Sequence, residues 1–352
     1  MTTLKIAVLG GGSFGTVLAN IAATKKHQTT LWVRNPEQAA AINSTHRNPS
    51  YISDLQLVPE LKATADLSEA LKHSQLIIIA LPSKAFPEII EKIMPYVENQ
   101  YLVSATKGIA QDKFVLMSEL LTASLKLHNK NYQQRIGVLS GPNIAKEIAT
   151  KHLTGSVIAS DNKELKLMTR QALDTKYFHV FENDDIYGVE LAGSLKNIYA
   201  IAAGIADSLG FGINTKSVLI ARSIAEMVSF ASQMNAQKIT FTGLAGIGDL
   251  IATCSSNDSR NYRFGKYLIS GDSVDDICSR LGGVAEGIHT TEMTYHKAQE
   301  LNVSMPLLDG VYRIIFNREK VKNVLWRVLV NTSYKDVEPI DLSDTQKLSK
   351  QR

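Results

Sequence analysis

From Leu4 to Glu182 the chain repeats one unit: a short apolar run, a turn, and a segment with helical spacing. The apolar runs fall at residues 4–9, 30–34, 75–81, 101–105, 135–140, 155–160 and 177–182, and helical spacing covers 14–25, 36–42, 84–97, 112–127 and 163–173. Within the third run, "LIIIAL" is uninterrupted rather than alternating, the pattern of a parallel strand covered on both faces. Such alternation predicts an open, mostly parallel sheet with helices on both sides, an α/β doubly wound domain. From about Val189 to Val330 helical periodicity continues with almost no convincing strand, so an all-α C-terminal domain follows. The expected division is 1–186 for the sheet domain, 187–335 for the helical domain and 336–352 for a polar, aperiodic, flexible tail.

The first turn narrows the sheet domain further. "AVLGGGSFGTVLA" puts Gly10, Gly12 and Gly15 in G-x-G-x-x-G spacing, directly after an apolar strand and at the opening of a helix. Glycines cluster by chance in many loops, but inside a strand–helix–strand unit this spacing is a Rossmann-type dinucleotide fingerprint. Gly10 permits the tight turn, Gly12 lets backbone approach a pyrophosphate, and Gly15 lets helix pack on strand. The helix start near Phe14 offers free N–H groups and the positive dipole end to the diphosphate. The second strand ends "LWVRN", so Arg34 stands where an acidic residue would accept from a ribose 2′-hydroxyl. A guanidinium suits a 2′-phosphate, and NADPH is expected to bind at least as well as NADH.

One lysine in the second half is out of keeping with its surroundings. In "ELAGSLKNIYAIAAG", Leu191, Leu195, Ile198, Ala202 and Ile205 form an apolar stripe on a helix. The opposite face carries Ala192, Gly193, Ala200 and Ala203, with Lys196 among them. A helix that is apolar or small all round is buried, so the Lys196 ammonium requires either a carboxylate partner or a chemical task.

Composition excludes several alternatives. The net charge of +4 is mild and the basic residues are scattered, which suits a small anionic substrate as well as anything and argues against nucleic acid. The two cysteines, Cys254 and Cys278, show no metal spacing and read as inert thiols in a reducing compartment. No metal is expected: His128, His152 and His179 lack ligand spacing, and His289 reads as loop packing. The apolar strand begins so close to Met1 that no signal peptide is expected, and no apolar run approaches the about 20 residues of a membrane span. A cytoplasmic protein is expected.

Three further stretches carry candidate chemistry. "SATKGI" places Lys107 just past the C-terminal end of a parallel strand, where open α/β sheets hold ligands. "GLAGIGDLIATCSSNDSRNYRFG" gathers Asp249, Thr253, Ser259, Arg260 and Asn261 around Gly-rich turns, and "GGVAEGIHTTE" adds Glu286 in another Gly-flanked loop. With "GGGSFGT", "ALPSKAF", "SGPNIAKE" and "LAGSLKNIYAIAAG", these stretches make a series that resembles, in order and over nearly the whole chain, bacterial-type NAD(P)-dependent glycerol-3-phosphate dehydrogenase.

The resemblance implies interconversion of dihydroxyacetone phosphate and sn-glycerol 3-phosphate, a phospholipid precursor, with NADPH or NADH, by a homodimer. By similarity, Ser13, Phe14, Arg34, Lys107, Ala145, Arg260, Val284 and Glu286 contact the dinucleotide. Lys107, Gly141, Asn143, Lys196, Asn197, Asp249, Ser259, Arg260 and Asn261 surround the substrate, with Lys196 transferring the proton and Lys107 and Asp249 beside it. Two positions depart from the family pattern: Asn143 replaces a usual Ser or Thr, and Ser194 a common Ala. Gly141 can still act through its backbone.

These residue types suit the chemistry. Hydride reduction of a ketone leaves negative charge on oxygen, which a lysine can stabilise and protonate. Burial among small residues and a neighbouring Lys107 would lower the Lys196 pKa, while Asp249 would oppose both and hold the ammonium; small neighbours would also let ligands come close. Arg260 can fork two N–H groups to a phosphate, with Ser259 and Asn261 adding neutral donors, although "NDSRN" is also an ordinary helix cap. Two other readings stay open: another two-domain hydroxyacid dehydrogenase, which should carry a different anion-binding set from "SRN", and a non-enzymatic NADPH-binding redox sensor, which would not need Lys107, Lys196 and Asp249.

Overall fold

The computed structural model describes residues 3–130 and 134–324. The tail expected over 336–352, and the end of the helical half beyond 324, lie outside the described residues.

Among the described residues, eight strands form one sheet in the order β3-β2-β1-β4-β5-β6-β7-β8. They are β1 (Lys5–Leu9), β2 (Gln28–Trp32), β3 (Lys62–Thr64), β4 (Leu76–Ile79), β5 (Tyr101–Ser104), β6 (Ile136–Ser140), β7 (Thr154–Ala159) and β8 (Phe178–Asn183). Strands β1 to β6 pair in parallel. Strand β7 runs antiparallel to β6, and β8 returns parallel to β7.

Between the strands lie α1 (Ser13–Thr24), α2 (Pro36–Thr45), α3 (Leu67–Leu71), α4 (Phe86–Ile93), α5 (Met117–Leu127), α6 (Ala145–Ala149) and α7 (Lys163–Leu173). The unbroken apolar strands divide their side chains between two cores. Ile6, Val8, Leu76 and Ile78 join one with α1 and α7; Ala7, Leu9, Ile77 and Ile79 join the other with α4 and α5. Alternate residues of a strand point to opposite faces, so a strand covered twice must be apolar at every position.

Sheet order reverses direction between β1 and β4, which opens a crevice at the carboxyl ends of those strands. Two glycines are dictated there by packing. A Cβ on Gly10, whose φ is +123°, would lie 2.3 Å from the Ala80 carbonyl oxygen, and one on Gly15 would lie 2.0 Å from that of Gly10.

The helical half comprises α8 (Ile186–Ser208), α9 (Ile213–Ser232), α10 (Asp249–Ser255), α11 (Arg260–Tyr267), α12 (Val274–Arg280), α13 (Glu286–Glu300) and α14 (Pro306–Ile315). Helix α8 is its axis, buried from Gly188 to Ala206. Val138, Val157 and Ala159 of the sheet meet Val189 of α8 and Ala245 in a small apolar seam. Helix α11 crosses α8 at close range. A Cβ on Gly204 would lie 2.0 Å from the Tyr262 carbonyl oxygen, and one on Gly265 the same distance from that of Ile201. Among the described residues, no helix is long and apolar enough to cross a membrane.

Several expectations are corrected. Strand β3, "KAT", and helix α3 escape the sequence pattern because they are very short and β3 sits at the sheet edge. Strand β2 closes at Trp32, so Arg34 lies beyond it. Helices α10 and α11 replace the Gly-rich turns expected around Asp249 and Arg260. Helix α13 begins at Glu286, so Glu286 and His289 are helical and not in a loop.

Candidate active site

Helix α8 brings Lys196 to the carboxyl ends of β5 and β6. The residue is 6 % exposed, and its ammonium donates to Asp249 Oδ1 and, at 2.7 Å, to Thr253 Oγ1. Asp249 and Thr253 stand one turn apart on α10, so a single helix face supplies both acceptors. Lys107, three residues past β5, donates to the other Asp249 oxygen at 2.7 Å and to the Gly141 carbonyl at 2.8 Å. One carboxylate, 1 % exposed, therefore bridges two ammonium groups. An ammonium has three donors. Each lysine has two committed and one left over, and two cations against one anion leave a surplus positive charge.

Burial lowers the Lys196 pKa to about 8; Asp249 works against the fall and Lys107 adds to it. Cys254, free and buried beside this group, has its thiol pushed up to about 12 by burial, which keeps it protonated and unreactive. The other cysteine, Cys278, is also free.

At Gly193 the small face of α8 serves packing. A Cβ on Gly193 would lie 2.5 Å from Ser140 Oγ and 3.7 Å from Lys107 Cγ. Protein, not open space, occupies that position. The missing side chain lets α8 seat Lys196 against the end of β6.

The remaining candidates form three groups. At Gly141 (φ +137°) the chain turns into a loop, and the Asn143 amide faces β7, donating to the Gly155 carbonyl at 3.1 Å and accepting from Ser156 Oγ at 3.0 Å. Ala145 starts α6. On the helical side, Ser259 caps α11 by accepting from the Tyr262 N–H at 3.2 Å, and Arg260 and Asn261 open that helix. Asn261 ties three helices together: it donates to Asn197 Oδ1 at 2.9 Å and accepts from the Gly287 N–H at 2.9 Å. Arg260 reaches the Val284 carbonyl at 3.3 Å.

At the crevice, Gly12 is the N-cap of α1, which has no side-chain cap, and a Cβ placed there would meet nothing within 4 Å. Uncapped N–H groups facing open space beside a positive-φ glycine suit a diphosphate. Ser13 Oγ donates to the Tyr51 carbonyl at 3.2 Å, and Phe14 begins the packed part of α1. Arg34 is exposed, and its side chain makes no ion pair or hydrogen bond among the described residues. The part played by Thr253, as a second acceptor for Lys196, is not evident from its residue type; its i, i+4 spacing from Asp249 is the one signal in the sequence that points to it.

Against known families, residues 5–166 match the model described as NAD-dependent glycerol-3-phosphate dehydrogenase N-terminus, and residues 185–326 match that of its C-terminus. The chain belongs to this glycerol-3-phosphate dehydrogenase family. A relative from Alcanivorax borkumensis, glycerol-3-phosphate dehydrogenase (NAD(P)+), is 46% identical over 333 residues, covering 94% of this chain and 95% of that one. Another from Azotobacter vinelandii is 44% identical over 338 residues, covering 96% and 98%. The solved glycerol-3-phosphate dehydrogenase of Coxiella burnetii superimposes with a TM-score of 0.87 at 34% identity, over 93% of this chain and 99% of that one. Family membership accounts for the order of the seven stretches, from the glycine turn to "GGVAEGIHTTE".

Proposed function

We propose that this chain interconverts dihydroxyacetone phosphate and sn-glycerol 3-phosphate with NADPH or NADH, and so supplies glycerophospholipid synthesis. The observation that carries the reading is the buried Lys196–Asp249–Lys107 group at the carboxyl ends of the strands. When bound, a nicotinamide cofactor supplies or accepts the hydride. Gly10, Gly12, Gly15 and the start of α1 at Ser13 and Phe14 would hold its diphosphate, with Arg34, Ala145, Arg260, Val284 and Glu286 along its length.

In ketone reduction, Lys196 directs its uncommitted N–H at the carbonyl oxygen and gives up the proton as that oxygen becomes a hydroxyl. In the reverse direction neutral Lys196 takes the proton back. A pKa of about 8 makes both forms accessible near neutrality, which an ordinary lysine at about 10.4 does not. Asp249 keeps the two ammonium groups at fixed positions and offsets their desolvation. Lys107 adds a second donor for the developing alkoxide. Arg260, Ser259, Asn261 and Asn197 take the phosphate end, with Gly141 and Asn143 on the opposite wall. Because the Asn143 amide is committed to β7, its part is to brace the loop whose Gly141 carbonyl aims Lys107.

The same reading divides the chain at residue 186, with the dinucleotide on the first part and most substrate contacts on the second. It includes a homodimer in the cytoplasm, where Cys254 and Cys278 stay reduced. The test is oxidation of NADPH, followed by its near-ultraviolet absorbance, on addition of dihydroxyacetone phosphate. Turnover is expected. Tight NADPH binding with no turnover would favour a redox sensor, and turnover of a 2-oxo acid instead would favour another hydroxyacid dehydrogenase.

A further inference from the structure

The "ALPSKAF" segment contains the side chain that grips Glu286. Ser83 follows β4 at the switch point of the sheet and is 1 % exposed. Its backbone N–H donates to Glu286 Oε1 at 3.1 Å, and its hydroxyl donates to Oε2 at 2.5 Å. Glu286 begins α13, so this pair links the sheet half to the helical half across 203 positions of sequence. Gly108, next to Lys107, completes the junction. A Cβ there would lie 2.7 Å from Ser83 Cβ and 3.2 Å from Glu286 Oε2, so the pair closes only over a glycine. Ser194 Oγ, one of the departures from the family pattern, holds the Gly108 carbonyl at 3.2 Å.

The geometry points to Ser83 as a positioning residue for cofactor binding, acting by fixing the plane of the Glu286 carboxylate. A free glutamate side chain rotates among several rotamers; donors on both oxygens select one. Each carboxylate oxygen has two acceptor sites. Ser83 occupies one on each and leaves the others free for donors of the dinucleotide. The inference rests on the assignment of Glu286 as a cofactor contact, and the test separates the two.

NADPH dissociation constants are measured by fluorescence titration for the wild type, S83A, S83T, E286Q and the S83A/E286Q double variant. S83A should weaken NADPH about tenfold, as expected for a lost hydrogen bond to a charged group, with kcat at saturating NADPH within about threefold. S83T keeps the hydroxyl and should bind within about twofold of the wild type. The double variant should bind no worse than E286Q, because Ser83 acts only through that carboxylate. Wild-type affinity in S83A alongside a weakened E286Q overturns the role of Ser83 alone. Wild-type affinity in E286Q overturns the assignment of Glu286 and the proposal with it. Losses that multiply in the double variant, or an S83T as weak as S83A, also overturn it. Should the double variant fail to fold, the contrast between S83A and S83T decides.

Discussion

The glycine turn and the lysine pocket are built by opposite means. At the turn nearly everything is backbone: Gly10 and Gly15 are required by neighbouring carbonyls, Gly12 borders open space, and the donors are the free N–H groups of α1. At the pocket nearly everything is side chain: Lys107, Lys196, Thr253 and Asp249 converge from three places and are held by charge. A backbone site can be written in six consecutive residues. A side-chain site has to be assembled from distant ones, since the two lysines lie 142 and 53 positions from their shared carboxylate. One expects local damage at the first to be steric and damage at the second to be electrostatic.

Lys196→Ala tests that contrast most strongly. With the proton donor gone, kcat should fall by about 10²-fold or more, while NADPH affinity stays within about threefold because the turn is untouched. Steady-state turnover together with NADPH titration checks it. Near-normal turnover would remove Lys196 from the chemistry.

The same contrast explains which features are legible in the amino-acid sequence. Strands such as β1 and β4 are legible because double coverage forces an uninterrupted apolar run, and the glycine fingerprint is legible because its logic is local. Strand β3 is not, being three residues at an edge with one lysine among them. Helices α10 and α11 look like loops because their sequences serve the site: "IGDLIATCSS" and "DSRNYRFG" are rich in small and polar residues, and tertiary packing against α8 makes them helical. Lys196 is legible as an anomaly on an apolar helix, but its bridge to Lys107 through Asp249 is not, since no spacing rule connects them. Ser83 and Glu286 are invisible as a pair for the same reason.

Within the turn, Gly15 and Gly12 should separate cleanly. Gly15→Ala drives a Cβ to within 2.0 Å of the Gly10 carbonyl oxygen. The overpacking should cost about 1–3 kcal/mol of stability, read as a lowered denaturation midpoint without ligand. Gly12→Ala should leave that midpoint unchanged and weaken NADPH about tenfold by obstructing the approach of the diphosphate. If both variants lose stability equally, Gly12 is structural and the turn is not a binding surface.

For the pocket, pH replaces mutation. Protonated Lys196 is the form needed for ketone reduction, so kcat/KM in that direction should fall as pH rises through about 8. Oxidation of glycerol 3-phosphate needs the neutral form and should rise through the same value. Asp249→Asn removes the influence that raises the Lys196 pKa, so both transitions should move to lower pH. Profiles with no ionisation near 8, or transitions that move upward in Asp249→Asn, would show that another group carries the proton.

Arg34 should give an effect confined to one cofactor and sensitive to salt, as follows from its setting. It is exposed two positions beyond β2 and feels the charge of Glu88, but no hydrogen bond or ion pair among the described residues fixes the guanidinium. A charge in that position is screened by solvent and salt, unlike the buried lysines. Arg34→Asp should therefore weaken NADPH by about tenfold at low ionic strength while changing NADH by less than about threefold, since only the former carries the 2′-phosphate. The preference should shrink as salt is added, whereas the Lys196 effect should not, because the lysine pocket excludes the ions that would screen it. Equal losses for both cofactors would mean that Arg34 does not read the 2′-phosphate, and a salt-independent preference would place the discriminating contact deeper in the crevice than this side chain reaches.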